Sequence, residues 1–81
     1  MMYISKINND GQLEASITCY SLNNPIDALV CYLEQFINKN YNTWEYSKSK
    51  FKDKIQKTKF GGACYYIPEI NESYYANTSR L

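Results

Sequence analysis

The sequence predicts an α+β fold. A small single domain spanning residues 1–81 is expected, with an N-terminal β-hairpin and one amphipathic helix packed on an antiparallel sheet, roughly ββαβββ. Three observations predict it. A turn signal, Asn8-Asn9-Asp10-Gly11, separates two alternating runs. A run of apolar residues at helical spacing follows Asn24-Pro25. Two tyrosine-rich segments after Gly61-Gly62 are divided by Pro68.

Residues 2–20 read as the hairpin, and two registers compete. A two-residue Asp10-Gly11 turn puts Lys6 opposite Ala15 on the core face and Glu14 opposite Ile7. A three-residue loop, Asn9-Asp10-Gly11, puts Gly11 at the left-handed bulge position, where glycine costs least. It pairs Ile7 with Leu13, Ser5 with Ala15 and Tyr3 with Ile17 on one face, and Lys6 with Glu14 on the other. The second register satisfies both faces and is preferred. It makes Leu13, Ala15, Ile17 and Cys19 the buried stripe of the second strand.

The helix begins at Pro25 with Asn24 as its N-cap, and Asp27 in the first turn suits the helix dipole. At 100° per residue, Ile26, Leu29, Val30, Leu33, Phe36 and Ile37 fall on one arc, with Tyr32 at its edge. Asp27, Glu34, Gln35 and Asn38 lie opposite, and Asn38-Lys39-Asn40 ends the run.

Residues 41–50 read as a loop with a short extended piece at Thr43-Trp44-Glu45-Tyr46. Residues 49–59 suit either a helical turn or a strand. A short helix or irregular turn followed by a strand over about 55–60 fits them best. Gly61-Gly62 marks a tight connection, Ala63–Ile67 a strand stopped by Pro68, and Ser73–Ala76 a final strand. The tail from Asn77 to Leu81 is expected to fray.

Composition excludes several function classes. A net charge of +1 suits neither an acidic nucleic-acid mimic nor a strongly basic nucleic-acid binder. No apolar run reaches the roughly 20 residues that span a bilayer, so no membrane role is expected. The start, Met1-Met2-Tyr3-Ile4-Ser5-Lys6, lacks the order of a signal peptide. Cys19, Cys31 and Cys64 are odd in number and widely spaced, which fits reduced thiols in the cytoplasm better than a disulfide framework. With no histidine, the commonest general base and zinc ligand is missing. No catalytic residue, metal or cofactor is therefore assigned, and the protein is expected to act by binding.

Two groups of residues are candidates for that binding. Lys48, Lys50, Lys52, Lys54, Lys57 and Lys59 hold six of the nine positive charges, with Trp44 and Phe60 flanking them. Lysines neutralise phosphates and aromatic faces stack on unpaired bases, so the combination suits a single-stranded nucleic acid or another anionic partner. The plainer reading is a solvated face whose lysines guard a sheet edge. The second group is Tyr65-Tyr66 and Tyr74-Tyr75. Consecutive strand residues face opposite ways, so one tyrosine of each pair faces the helix and the other faces out. Two outward tyrosines form an aromatic patch for a protein partner, a stacked base or a second copy in a homodimer. The plainer reading is ordinary cross-strand aromatic packing. Cys31 falls on the polar arc of the helix. With Asp27 and Glu34 one turn away, it lacks the cation or helix N-terminus that activates a thiol.

Nine tyrosines among 81 residues, with many Asn, Lys and Ile, reflect AT-rich codons, tyrosine's use at contact surfaces, or both. In size and bias the chain resembles the small proteins of phages and mobile elements of AT-rich bacteria. Many of those, anti-CRISPR and antirestriction proteins among them, act by stoichiometric binding to a host complex. The resemblance covers size and composition and no particular residues. It implies a non-enzymatic protein-binding module, an inhibitor of a host defence or nucleic-acid-processing complex. The alternative is a small single-stranded nucleic-acid binder that uses the lysine and aromatic surface.

Overall fold

The computed structural model describes residues 1–40, 53–59, 61–68 and 70–78, with helix side chains through Phe36. One helix packs on one face of a five-stranded antiparallel sheet. The elements are β1 (Met2–Ile7), β2 (Leu13–Tyr20), α1 (Pro25–Asn40), β3 (Gln56–Lys57), β4 (Ala63–Ile67) and β5 (Glu72–Asn77). The sheet order is β2-β1-β5-β4-β3. The last strand thus inserts between the N-terminal hairpin and the β3–β4 hairpin.

The helix starts where its cap dictates. Asn24 Oδ1 accepts the backbone N–H of Ile26 at 2.9 Å, and Ala28 N–H donates to Asn24 C=O at 3.1 Å. Such a cap contributes about 1 kcal/mol. Leu29, Val30 and Leu33 are buried as the spacing requires, with Ile26, Tyr32 and Phe36 packed around them. Ala28 is buried as well. Beneath them lie Met2 and Ile4 of β1, Tyr74 and Ala76 of β5, and Ala63, Tyr65 and Ile67 of β4. Full burial of each large aliphatic side chain contributes about 1.5–3 kcal/mol.

The first turn has the expected three-residue loop. Asn8 N–H donates to Gln12 C=O at 2.9 Å, and Gly11 takes a φ of 79°. Asn8 Oδ1 accepts two backbone N–H groups, from Asp10 and Gln12. Ile7 then pairs with Leu13 and Lys6 with Glu14, as that loop requires.

Beyond Glu14 the register departs from expectation. Ile4 pairs with Thr18, Tyr3 with Cys19 and Met2 with Tyr20, so β2 carries two more residues than β1 between these points. The expected Ser5–Ala15 and Tyr3–Ile17 pairs do not form. Ala15, Ser16 and Ile17 make a bulge opposite Ser5, and Ser16 holds a left-handed φ of 50°. Ser16 N–H donates to Ser5 Oγ at 3.1 Å, while Ser16 Oγ is buried without a hydrogen-bond partner.

The buried stripe expected on β2 is also corrected. Leu13, Ala15, Ile17 and Cys19 are all exposed. The face of the hairpin turned to the helix is the other one, with Met2, Ile4 and Lys6 on β1 and Thr18 and Tyr20 on β2. Both faces of β1 carry apolar residues, so alternation alone leaves the choice open. The sheet decides it. With β5 beside β1, the core forms where Ile4 adjoins Ala76, and β2 is left at the edge.

The remaining strands differ only in length. β3 is confined to Gln56–Lys57, after a helical turn at Asp53–Lys54 and a buried Ile55, rather than running over 55–60. Its hairpin repeats the first turn's device: Thr58 N–H donates to Gly62 C=O at 3.0 Å, and Gly61 has a φ of 78°. The last strand gains a residue at each end, and Asn77, expected in a frayed tail, pairs with Tyr3. The expected loop at 41–50 and the ends of the tail lie outside the described residues.

Candidate functional site

Strand pairing sorts the sheet into two sets of rows. On the helix side, Glu14, Lys6, Tyr74 and Tyr65 form one row, and Thr18, Ile4, Ala76, Ala63 and Lys57 the next. On the helix-free side, Leu13, Ile7, Ser73 and Tyr66 form one row. Ser5, Tyr75, Cys64 and Gln56 form a second, and Cys19, Tyr3 and Asn77 a third.

The tyrosine pairs divide by strand parity. Tyr65 and Tyr74 are buried under the helix at 7% and 0% exposure. Tyr66 is 51% exposed and Tyr75 half-buried on the opposite face. Tyr66 stands opposite Ser73 and Tyr75 opposite Cys64, which makes the two outward rings diagonal neighbours. The Tyr66 hydroxyl donates to Asn71 Oδ1 at 2.8 Å, and Asn71 occupies a left-handed φ of 54° in the β4–β5 turn. That bond fixes the ring's direction on an exposed surface. Lys54, Gln56, Cys64, Tyr66, Ser73 and Tyr75 line a shallow depression of about 480 Å³.

The lysine stretch is divided. Lys54 borders the depression on the helix-free side. Lys57 lines a separate hollow of about 310 Å³ beside the helix start, with Asn24, Pro25, Thr58 and Gly62. Lys59 is exposed in the β3–β4 turn. Lys48, Lys50, Lys52, Trp44 and Phe60 lie outside the described residues.

The helix side holds a polar network of a different kind. Lys6 Nζ lies 3.7 Å from both Glu14 and Glu72 carboxylates, and the Tyr74 hydroxyl donates to Glu72 Oε1 at 2.9 Å. The Tyr74 ring packs against Tyr32 and Phe36, with centroids 5.3 and 5.5 Å away. Burial, reinforced by the Glu72 carboxylate, pushes the Tyr74 phenol far above its ordinary value of 10.0. Burial also raises Tyr32. Tyr20 is raised by burial first and then by Cys31. A buried phenol held neutral against a charge-balanced carboxylate is a packing device.

Sequence reasoning found the Lys6–Glu14 pair but missed Glu72, because the β1–β5 pairing has no local signal. Asn71 was likewise passed over, although an Asn in a turn between strands is a candidate for a left-handed position. Cys31, assigned to the polar arc, is half-buried and lies within 3.8 Å of Gln35 Nε2. Among the described residues no three His, Cys, Asp or Glu side chains gather where they could hold a metal. No described helix is long and apolar enough to cross a membrane. Comparison of the chain with family models, curated proteins and solved structures gives no match.

Proposed function

We propose that this protein is a non-enzymatic binding module that engages another protein through the helix-free face of its sheet. The observation that carries the reading is the exposed apolar surface there. Leu13 is 53% exposed and Tyr66 51% exposed in one row, and Ile17 is 37% exposed in the adjoining bulge. Covering apolar surface removes it from water, which favours association, and tyrosine is enriched where partners meet. The sheet's edges are less suited to strand addition. The β2 edge is broken by the Ser16 bulge, and β3 is two residues long.

Size and composition extend the proposal to an inhibitor of a host defence or nucleic-acid-processing complex in the cytoplasm. A second reading has one specific observation in its favour: Lys54 shares a depression with Tyr66 and Tyr75, an arrangement that suits a stacked base and its phosphate. A photo-reactive amino acid at Tyr66 separates the two. Protein binding predicts discrete cross-linked protein species in an extract of the native host, and none from the same group placed at exposed Gln35 on the helix. Cross-links to nucleic acid from Tyr66, or equal protein yields from both positions, would contradict it. A homodimer would show as a cross-linked species of twice the monomer mass.

A further inference from the structure

We propose that the segment bound by the helix-free face is acidic. Its apolar side chains lie along Leu13 and Ile7, and a carboxylate reaches the depression at Lys54, Tyr66 and Tyr75. The proposal rests on the protein-binding reading and adds the chemistry of the partner.

The charge distribution of the sheet points to it. The strand carboxylates, Glu14 and Glu72, both lie on the helix side, where they clasp Lys6. Asp27 and Glu34 belong to the helix and Asp10 to the first turn, and exposed Asp53, which precedes Lys54 in its helical turn, does not line the depression. The helix-free strand positions are Tyr3, Ser5 and Ile7; Leu13 and Cys19; Gln56; Cys64 and Tyr66; Ser73, Tyr75 and Asn77. None is acidic. Among the described residues, the one ionised side chain that lines the depression is the exposed Lys54, with the Gln56 amide and Ser73 hydroxyl as further donors. Among the described residues that line the depression, an incoming carboxylate therefore meets a cation and neutral donors and no other carboxylate.

The face is also graded. Leu13, Ile7, Ser73 and Tyr66 cross four adjacent strands in one row, aliphatic at one end and aromatic at the other. Strands about 4.8 Å apart place these ends about 14 Å apart, the reach of four extended residues. A peptide with apolar residues at one end and carboxylates at the other matches both halves.

A second copy does not match, because it would bring another acid-free face to this one. A single-stranded nucleic acid matches less well. Phosphates along a strand call for several cations, and of the described lysines only Lys54 borders the depression. The Leu13–Ile7 end of the row offers no ring on which a base could stack, and Tyr3 lies two rows away on β1.

The test uses the full chain, labelled for amide NMR, and three probes. One is a short synthetic peptide with a Leu/Phe-rich half and a Glu-rich half. The second is the same peptide with Gln for every Glu, and the third an oligothymidylate of similar charge. The acidic peptide is expected to move the amide signals of Ile7, Cys64, Tyr66, Ser73 and Tyr75, and to bind several-fold more tightly than the Gln peptide. High salt should remove that difference, since screening shortens to about 3 Å at 1 M. Lys54→Gln should weaken the acidic peptide about two- to five-fold and leave the Gln peptide unchanged, as expected for one exposed ion pair. Equal binding of both peptides at this face would overturn the acidic partner and leave the protein-binding reading standing. Binding of the oligothymidylate alone would overturn both. If neither peptide moves these signals, the proposal is wrong.

Discussion

The two faces of the sheet are built from the same strands and do opposite work. On the helix side, small and aliphatic residues alternate with tyrosines whose hydroxyls or rings are engaged. Ala63 faces Ala76, Ile4 adjoins Ala76, and Tyr74 packs against the stacked rings of Tyr32 and Phe36 with its hydroxyl on Glu72. On the helix-free side no element among the described residues forms a second layer, and Leu13 and Tyr66 are left more than half exposed. A sheet meant to be wet on its outer face would alternate apolar and polar residues. Here β1 reads Met2-Tyr3-Ile4-Ser5-Lys6-Ile7, apolar on both sides. The difference between the faces is therefore one of cover rather than of hydrophobicity, which makes the uncovered face the place to look for a partner.

The largest effect should come from the covered side. Leu33 has 0% exposure at the centre of the helix's buried stripe. Leu33→Ala should lower stability by about 2–5 kcal/mol in a chemical melt, a large share of what a domain this small has. A loss no greater than that of an exposed-face substitution would erase the contrast between the faces.

The next prediction finds a tight spot on the helix-free side. A Cβ on Gly62 would strike Asn77 Oδ1 and come within 2.6 Å of the Ala76 carbonyl oxygen. Gly62→Ala should therefore cost about 1–3 kcal/mol through overpacking, although it adds a single methyl. A neutral result would mean that β4 and β5 are not locked at that end.

Alkaline pH sharpens the comparison differently. The folded protein holds Tyr74 neutral well above its ordinary value of 10.0, with burial as the main cause. Above about pH 10 the unfolded chain loses this proton while the folded chain keeps it. This contribution to stability is thus whole below pH 10 and is lost as pH rises towards the folded value. Tyr74 should steepen the fall by about 1.4 kcal/mol per pH unit, and Tyr74→Phe should flatten it by that amount. An unchanged slope above pH 10 would show that Tyr74 ionises freely in the folded protein.

Much of this architecture is legible in the sequence where the signal is local. Asn24-Pro25 names the helix start, Gly11 the left-handed turn position, and strand parity that one tyrosine of each pair faces outward, without saying which. What was missed is set by residues far apart in the chain. Ser16 carries no glycine-like signal for its positive φ, and its bulge is held by Ser5 eleven residues earlier. The hairpin's buried face depends on β5, about seventy residues after β1, taking its place beside it. The depression could not be assembled from sequence for the same reason. Lys54 and Tyr75 belong to separate segments that meet only through β4.

The most direct test of the division of labour uses the double variant Tyr66→Ser, Tyr75→Ser, with a photo-reactive group at Leu13 reporting partner contact. Because both tyrosines lie on the uncovered face, a melt should place the variant within about 1 kcal/mol of the parent, near the range of surface changes. Cross-linking from Leu13 to the partner should nonetheless fall at least several-fold, because aromatic residues near the centre of an interface carry much of its energy. A stable variant that still cross-links from Leu13 with parental yield would contradict the account, and the helix-free face would not be where this protein binds.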